Sequence, residues 1–311
     1  MDRNSVIQVS KPIIVAGDVM LDHYWKGEST RLSPEAPVPV VRVDDQEPRL
    51  GGAANVALNL AKLGVEPVLC GIIGNDPAGG VIRQIAQSAG IVSPLVTSSI
   101  RTTEKIRILA QNQQIVRVDF EEWPMPVAVR EFNNCVSKLI PNSQAIIFSD
   151  YNKGSLENIQ HLIQLAREFG VITLIDPKGT DYSKYRGASV ITPNCSELAA
   201  VVGKWTSESD LVNRAMTLRK ELGLEKLLLT RSEDGMTLFE EDAITNFKAQ
   251  ALEVFDVSGA GDTAIAVLAC MLSEGKGWHD AVKIANKAAG IVVGRLGTSS
   301  ITREDLNNVI D

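Results

Sequence analysis

From about residue 125 onward, short apolar runs alternate with segments whose apolar residues recur every three or four positions. The runs at 145–148, 171–175, 190–191 and 226–230 predict strands, and 127–139, 155–169, 208–222 and 278–293 predict helices. Earlier in the chain, 12–16 and 68–73 predict two more strands. Residues 51–64 and 77–90 predict helices. The first of these opens on Gly51 and Gly52, carries an apolar face of Val56, Leu60 and Leu63, and closes at Gly64. A β-like pair at 236–239 and 247–249 precedes an apolar run ending at Val254 and Phe255. A helix from Asp262 to about Leu272 follows. Strands that are apolar throughout are covered on both faces. Their alternation with helices predicts a three-layer α/β/α fold with a mostly parallel central sheet.

Two stretches break this rhythm. Between about 21 and 49, Pro34, Pro37, Pro39 and Pro48 forbid a helix, while Val38, Val40, Val41 and Val43 give β content. Between about 96 and 120, Ile106, Ile108 and Ala110 alternate with polar neighbours. So do Ile115 and Val116 through Phe120, around a polar turn at Gln111-Asn112-Gln113. This pattern predicts a hairpin with one wet face. Together the two excursions predict a small β lid inserted into a single domain spanning 1–311. An exposed apolar face on such a lid needs a partner, so a homodimer through the lid is expected.

Composition narrows the class. The chain has 311 residues, 44% hydrophobic and 22% charged, with a net charge of −7. That charge argues against nucleic acid or an anionic membrane as the main partner. Cys70, Cys135, Cys195 and Cys270 lie far apart and form no CxxC, which argues against zinc and for a reducing compartment. The first residues carry no charged-then-apolar leader pattern, and no apolar run is long enough to cross a bilayer. A cytoplasmic location is expected.

The chemistry gathers at strand ends. Asp18, Asp150, Asp176 with Lys178, Asn194 with Glu197, Thr230 with Arg231, and Asp256 with Asp262 all follow strand-like runs. In a parallel sheet those ends share one edge, where ligands sit. The sharpest stretch is 256–263. Gly259, Ala260 and Gly261 open a helix and leave backbone N–H groups for an anion, and Asp262 on the first turn is placed to take a proton from a hydroxyl. A plain loop capped by aspartate is the competing reading of that stretch. A turn aspartate is the competing reading of Asp18, and a tight helix start that of Gly51 and Gly52. Asn55, on the first turns of that helix, offers a two-way amide. Asn194 and Glu197 suit Mg²⁺ with retained waters, and Lys178 suits a phosphate. No P-loop is present, and no dinucleotide fingerprint follows the first strand. Lys105, Arg107 and Arg117 on the lid hairpin are candidates for a phosphate carried by the acceptor itself, against the alternative of solvated side chains.

Two segments, Leu50-Gly-Gly-Ala-Ala-Asn-Val-Ala57 and Asp256-Val-Ser-Gly-Ala-Gly-Asp-Thr263, resemble the two signatures of the ribokinase-like (pfkB) carbohydrate kinases. Asn194-Cys-Ser-Glu197 is similar to that family's N-x-x-E motif. The resemblance implies a ribokinase-like fold, ATP and Mg²⁺ as cofactors and a sugar or sugar phosphate as substrate. It implies Asp262 as catalytic base and Gly259, Ala260 and Gly261 as the anion hole. Asn194, Cys195, Ser196, Glu197, Lys178, Thr230, Arg231 and Asn286 would serve ATP, with Mg²⁺ held by Glu197 through water. Asp18, Gly51, Gly52 and Asn55 would hold the sugar. Asp256 would hold a monovalent cation such as K⁺. The segments 17–25, 31–39, 176–181 and 230–236 are similar to the branch of the family that phosphorylates a heptose phosphate. Another ribokinase-like sugar kinase, or a non-catalytic regulator that binds the same ligands, are the alternatives. Some relatives join such a kinase to a nucleotidyltransferase with an H-x-G-H motif. The three histidines here, His23, His161 and His279, form none, so either the kinase alone or the kinase part of a longer protein is expected. Two residues depart from the family pattern: Ser232 stands where glycine is common, and Ala264 where phenylalanine is common.

Overall fold

The computed structural model describes residues 11–111, 113–249, 258–294 and 300–310. In chain order the strands are β1 (Ile13–Gly17), β2 (Val19–Leu32), β3 (Pro39–Gly52), β4 (Pro67–Cys70), β5 (Ile72–Gly74), β6 (Val96–Ser98), β7 (Glu104–Ala110) and β8 (Gln113–Phe120). They continue with β9 (Ala145–Ser149), β10 (Ile172–Asp176), β11 (Val190–Ile191), β12 (Lys226–Thr230), β13 (Met236–Phe239) and β14 (Ile244–Phe247). The helices are α1 (Ala53–Lys62), α2 (Pro77–Ser88), α3 (Pro126–Leu139), α4 (Gln160–Glu168), α5 (Cys195–Val202), α6 (Glu208–Glu221), α7 (Ala260–Ser273), α8 (Trp278–Val293) and α9 (Arg303–Ile310).

The central sheet has eight strands in the order β14-β13-β12-β11-β10-β9-β1-β4. From β4 to β12 all neighbours are parallel, and β13 and β14 add an antiparallel edge. Successive residues of the inner strands enter two different cores. Ile13 and Val15 of β1 join one core with residues of α1, α7 and α8, while Ile14 and Ala16 join the other with residues of α3, α4 and α6. In β9, Ala145 and Ile147 divide from Ile146 and Phe148 in the same way. This is the two-residue period of a strand with both faces covered, and it explains why these strands are apolar throughout. Helix α7 is buried on every side between α1 and α8, which matches its lack of a polar face.

A second sheet, in the order β3-β2-β7-β8, forms the lid. The chain leaves β1, passes Asp18 and enters β2 directly, so the lid grows from the edge of the central sheet that carries the strand ends. Strand β2 pairs antiparallel with β3 and parallel with β7. The register sets two unlike faces. Asp22, Tyr24, Lys105 and Arg107 lie on one face, and Trp25, Ile106, Ile108, Val116 and Val118 on the other.

Several expected elements differ. The strand expected at 68–73 breaks at Gly71: β4 stays in the central sheet, while β5 turns away and pairs with β6. A Cβ on Gly71 would lie 2.3 Å from Val19 Cγ2, so the lid strand packs where a side chain would otherwise be. Residues 96–98 therefore belong to a two-stranded sheet, and the second lid segment begins at Glu104. The helix expected from 155 starts at Gln160, and the turn before it is tied to the Asp18 carboxylate through the N–H of Ser155. The strand expected at 247–249 lies at Ile244–Phe247, α7 starts at Ala260, and α9 was unmarked by the sequence pattern. The apolar run ending at Val254 and Phe255 lies outside the described residues.

Candidate active site

Two helix starts meet at the strand-end edge. Gly52, the N-cap of α1, has φ 57. A Cβ there would lie 2.4 Å from the Asp18 carbonyl oxygen, so only glycine fits both the backbone and the space. Gly259, the N-cap of α7, has φ 80 and is left-handed. The third residue of each helix reaches the other: Asn55 Nδ2 donates to Asp262 Oδ2 at 2.6 Å. Asn59 fastens the pair one turn deeper, donating to the Asn55 carbonyl at 2.9 Å and accepting from Thr263 Oγ1 at 3.2 Å.

Asp262 is 6% exposed. The Tyr151 hydroxyl donates to its Oδ1 at 3.0 Å. Burial raises the Asp262 carboxyl to about 6, the bonds from Asn55 and Tyr151 hold it down, and the nearby Asp22 carboxylate adds a further rise. At neutral pH this group is mostly ionised yet holds a proton better than an ordinary carboxylate, which suits a general base. The first-turn N–H groups of α7 have no intrahelical acceptor, and the space beside Gly261 is open, so an anion can approach beside the base.

Asp262, Gly259 and Gly261 line a cleft of about 160 Å³. Lys178, Asn194, Glu197 and Thr230 line it as well, together with Tyr151 and Asp176. Glu197 and Asn194 also build the start of α5 as a capping box. Asn194 Oδ1 accepts from the Glu197 N–H at 2.9 Å, and Glu197 Oε2 accepts from the Asn194 N–H at 3.0 Å. Glu197 Oε1 takes Lys178 Nζ at 2.8 Å. Asp176, at the end of β10, has its carboxyl pushed well up, first by desolvation and then by Asp262 and Glu197, with Lys178 opposing. Among the described residues no group of three or more His, Cys, Asp or Glu side chains is arranged to hold a metal. Two carboxylates that crowd each other fit Mg²⁺ of the kind that arrives with phosphates and waters, rather than a protein-caged ion.

Other expected residues fall elsewhere. Asp18 is not part of the cleft lining. It is 2% exposed, and its oxygens accept the N–H groups of Tyr151 at 2.9 Å, Lys153 at 3.0 Å and Ser155 at 3.1 Å. Its role is to hold the 150–155 turn. Asp150 is likewise occupied, by Lys184 Nζ, the Tyr185 hydroxyl and the Asn152 N–H. Cys195 and Ser196 lie outside the cleft lining. Cys195 Sγ leans on the Thr230 carbonyl, and Ser196 Oγ donates to Asn194 Oδ1. Arg231 also lies outside the lining and is held in a two-pronged pair by Glu208. Asn286 donates to the Lys248 carbonyl at 2.8 Å. Asp256 lies outside the described residues. Ser232, the departure from glycine, has φ 50, a backbone that glycine adopts without cost.

Two residues beside Asp262 carried no flag in the sequence reading: Asp22 and Tyr151. Asp22 stands on the polar lid face, 6% exposed, with its Oδ2 against Gly51, where a Cβ would come within 2.5 Å. Its Oδ1 pairs with Arg107. Among the three candidate cations of the lid hairpin, Arg107 is the one paired with Asp22. Lys105 goes to Asp119 and Glu121, and Arg117 to Asp119. The signal for Asp22 was its alternation with Tyr24 along β2, and for Tyr151 its place next to a strand-end aspartate.

The model of the pfkB family of carbohydrate kinases matches residues 11–305. A protein of Bordetella bronchiseptica named D-beta-D-heptose 7-phosphate kinase is 48% identical over 295 residues, 94% of each chain. The bifunctional protein HldE of Hahella chejuensis is 49% identical over 96% of this chain, which spans 63% of that protein's length. Among solved structures, phosphofructokinase-2 of Escherichia coli superposes with a TM-score of 0.83 at 16% identity, covering 97% of this chain and 98% of that one. Ribokinase of Arabidopsis thaliana superposes with a TM-score of 0.76 at 20% identity, covering 97% and 99%.

Proposed function

We propose that this chain, which belongs to the pfkB family of carbohydrate kinases, transfers the γ-phosphoryl group of ATP to O1 of D-glycero-β-D-manno-heptose 7-phosphate. The product is the 1,7-bisphosphate, an intermediate on the way to ADP-heptose for lipopolysaccharide. The observation that carries this reading is Asp262, buried and pinned between Asn55 and Tyr151 at the open start of α7. The identity of the sugar rests on the named relatives.

In the transfer, the O1 hydroxyl gives its proton to Asp262 as O1 bonds to the γ-phosphorus. The bond from that phosphorus to the bridging oxygen breaks, and ADP leaves. Backbone N–H groups of Gly259, Ala260 and Gly261 face the charge on the transferred group. Lys178 neutralises nucleotide phosphate, and Thr230 and Asn194 border the same cleft. Asp176 and Glu197 would hold Mg²⁺ through water; bound with ATP, it screens the phosphate charge. Asp22, Asn55 and the backbone at Gly51 and Gly52 hold the sugar hydroxyls, and Arg107 takes the substrate's own phosphate. A monovalent cation beside Asp256 and a cytoplasmic location complete the reading. No described helix is long and apolar enough to cross a membrane.

Two copies are proposed to meet through the apolar lid face, where Val116 is 46% and Val118 37% exposed. ATP consumption with heptose 7-phosphate, fructose 6-phosphate and ribose tests the substrate. Heptose 7-phosphate is expected to give the highest kcat/KM, by at least about 100-fold over ribose, which lacks the phosphate. Equal or better turnover of either rival would overturn the assignment of the sugar.

A further inference from the structure

Segment 150–155 leaves the carboxyl end of β9 and carries a tyrosine that the transfer chemistry above does not require. The Tyr151 hydroxyl lies 3.0 Å from Asp262 Oδ1, while Asn55 Nδ2 holds Oδ2 at 2.6 Å. The two donors come from different elements and grip different oxygens. Together they define the plane of the carboxylate, which otherwise turns freely about its last torsion. Each oxygen keeps acceptor capacity for the sugar hydroxyl.

The tyrosine is itself held. Asp18 collects three N–H groups of the segment, at 2.9, 3.0 and 3.1 Å, in a nearly dry setting. On the outer side Lys153 Nζ donates to Glu121 Oε2 at 2.6 Å. Burial first, and then the neighbouring carboxylates Asp262 and Asp176, push the Tyr151 hydroxyl far above its ordinary range, so it remains a donor at every working pH. Three groups bear on the Asp262 charge: Asn55 and Tyr151 favour it and Asp22 opposes it. The Asp176 carboxyl, itself pushed up by Asp262, lies nearby.

We propose that Tyr151 is a positioning residue for the phosphoryl transfer: its hydroxyl fixes Oδ1 of Asp262 so that the carboxylate faces the sugar O1. This rests on Asp262 being the base, as proposed above. A donor to a carboxylate stabilises the ionised form. Its loss therefore turns the base out of line and lets it keep its proton to higher pH.

The test is Tyr151→Phe, with kcat/KM for the sugar phosphate followed across pH 5 to 9. In parallel, the Asp262 carboxyl carbon is titrated by NMR in the ligand-free protein, its resonance assigned with Asp262→Asn. The midpoint of both curves is expected to rise by about one pH unit, the usual size for a hydrogen bond to a charge. Activity then falls roughly fivefold more at pH 6 than at pH 8. KM for ATP stays as in the unaltered protein. An unmoved midpoint in both curves, whether activity is unchanged or reduced equally at all pH values, overturns the proposal. If the unaltered protein does not turn over the sugar phosphate, the functional reading fails, and the carboxyl titration still decides whether Tyr151 governs Asp262.

Discussion

The rim of the central sheet and the lid hold their charges in opposite ways. At the rim, Asp262, Asp18 and Asp150 are each less than 7% exposed, and their partners are uncharged donors or backbone N–H groups, apart from Lys184 on Asp150. On the lid, Arg42 pairs with Glu28 and Asp44, Lys105 with Asp119 and Glu121, and Arg117 with Asp119, at or near the surface. Surface pairs of that kind contribute about 0–1 kcal/mol each and exchange readily. Buried groups with fixed donors do not. The rim is therefore built before any ligand arrives, and the lid holds charges that a phosphate can recruit. Asp22 and Arg107 stand where the two regimes meet: a lid pair, yet turned to the rim and largely buried.

Substitutions that break the rim should have the largest effects. Gly52→Val puts a side chain into the Asp18 carbonyl at a left-handed backbone position. It is expected to lower stability by roughly 3 kcal/mol or more and to abolish turnover, read by denaturant melts and by rate. Next comes the junction. Arg107→Met leaves Asp22 unpaired and removes the phosphate's partner, so kcat/KM should drop roughly 30–100-fold. Lys105→Ala, purely on the lid, should cost less than about threefold. A collapse with Lys105→Ala would erase the distinction between junction and lid. A charge on the apolar lid face tests assembly: Val118→Asp places a carboxylate at each of two symmetric positions. If two copies meet there as proposed, their association should weaken by about 100-fold or more in sedimentation, while the rim chemistry of each copy is kept. The smallest effect is a gain. Ser232→Gly relieves a left-handed residue and should raise stability by about 0.5–1 kcal/mol without changing rates.

The central sheet was legible because both of its faces are covered, which writes apolar runs directly into β1, β9 and β10. The lid was legible as β structure but not in its pairing. Strand β7 lies parallel to β2 some 80 residues earlier, and no local signal encodes that. The motif residues at the two helix starts were also readable, since glycine with a polar third residue has few other uses. Asp18 and Asp22 could not be told apart. They are the same residue type four positions apart, and what separates them is the backbone of residues 151–155, which folds onto the first and spares the second for the site. Glu197 had a similar ambiguity, since a capping box and a ligand-bearing motif share one spacing.

The most direct measurement is kcat of Asp262→Asn with saturating sugar phosphate and ATP, alongside the dissociation constant for ATP. Loss of a positioned base is expected to lower kcat at least about 100-fold, and up to about 10⁴-fold, with ATP affinity held within about twofold. In the unaltered protein kcat/KM should rise as pH increases through about 6, where the buried carboxyl loses its proton, and the residual rate of the variant should lack that step. Turnover near that of the unaltered protein, or a variant that keeps the rise at pH 6, would contradict Asp262 as the base around which the rim is built.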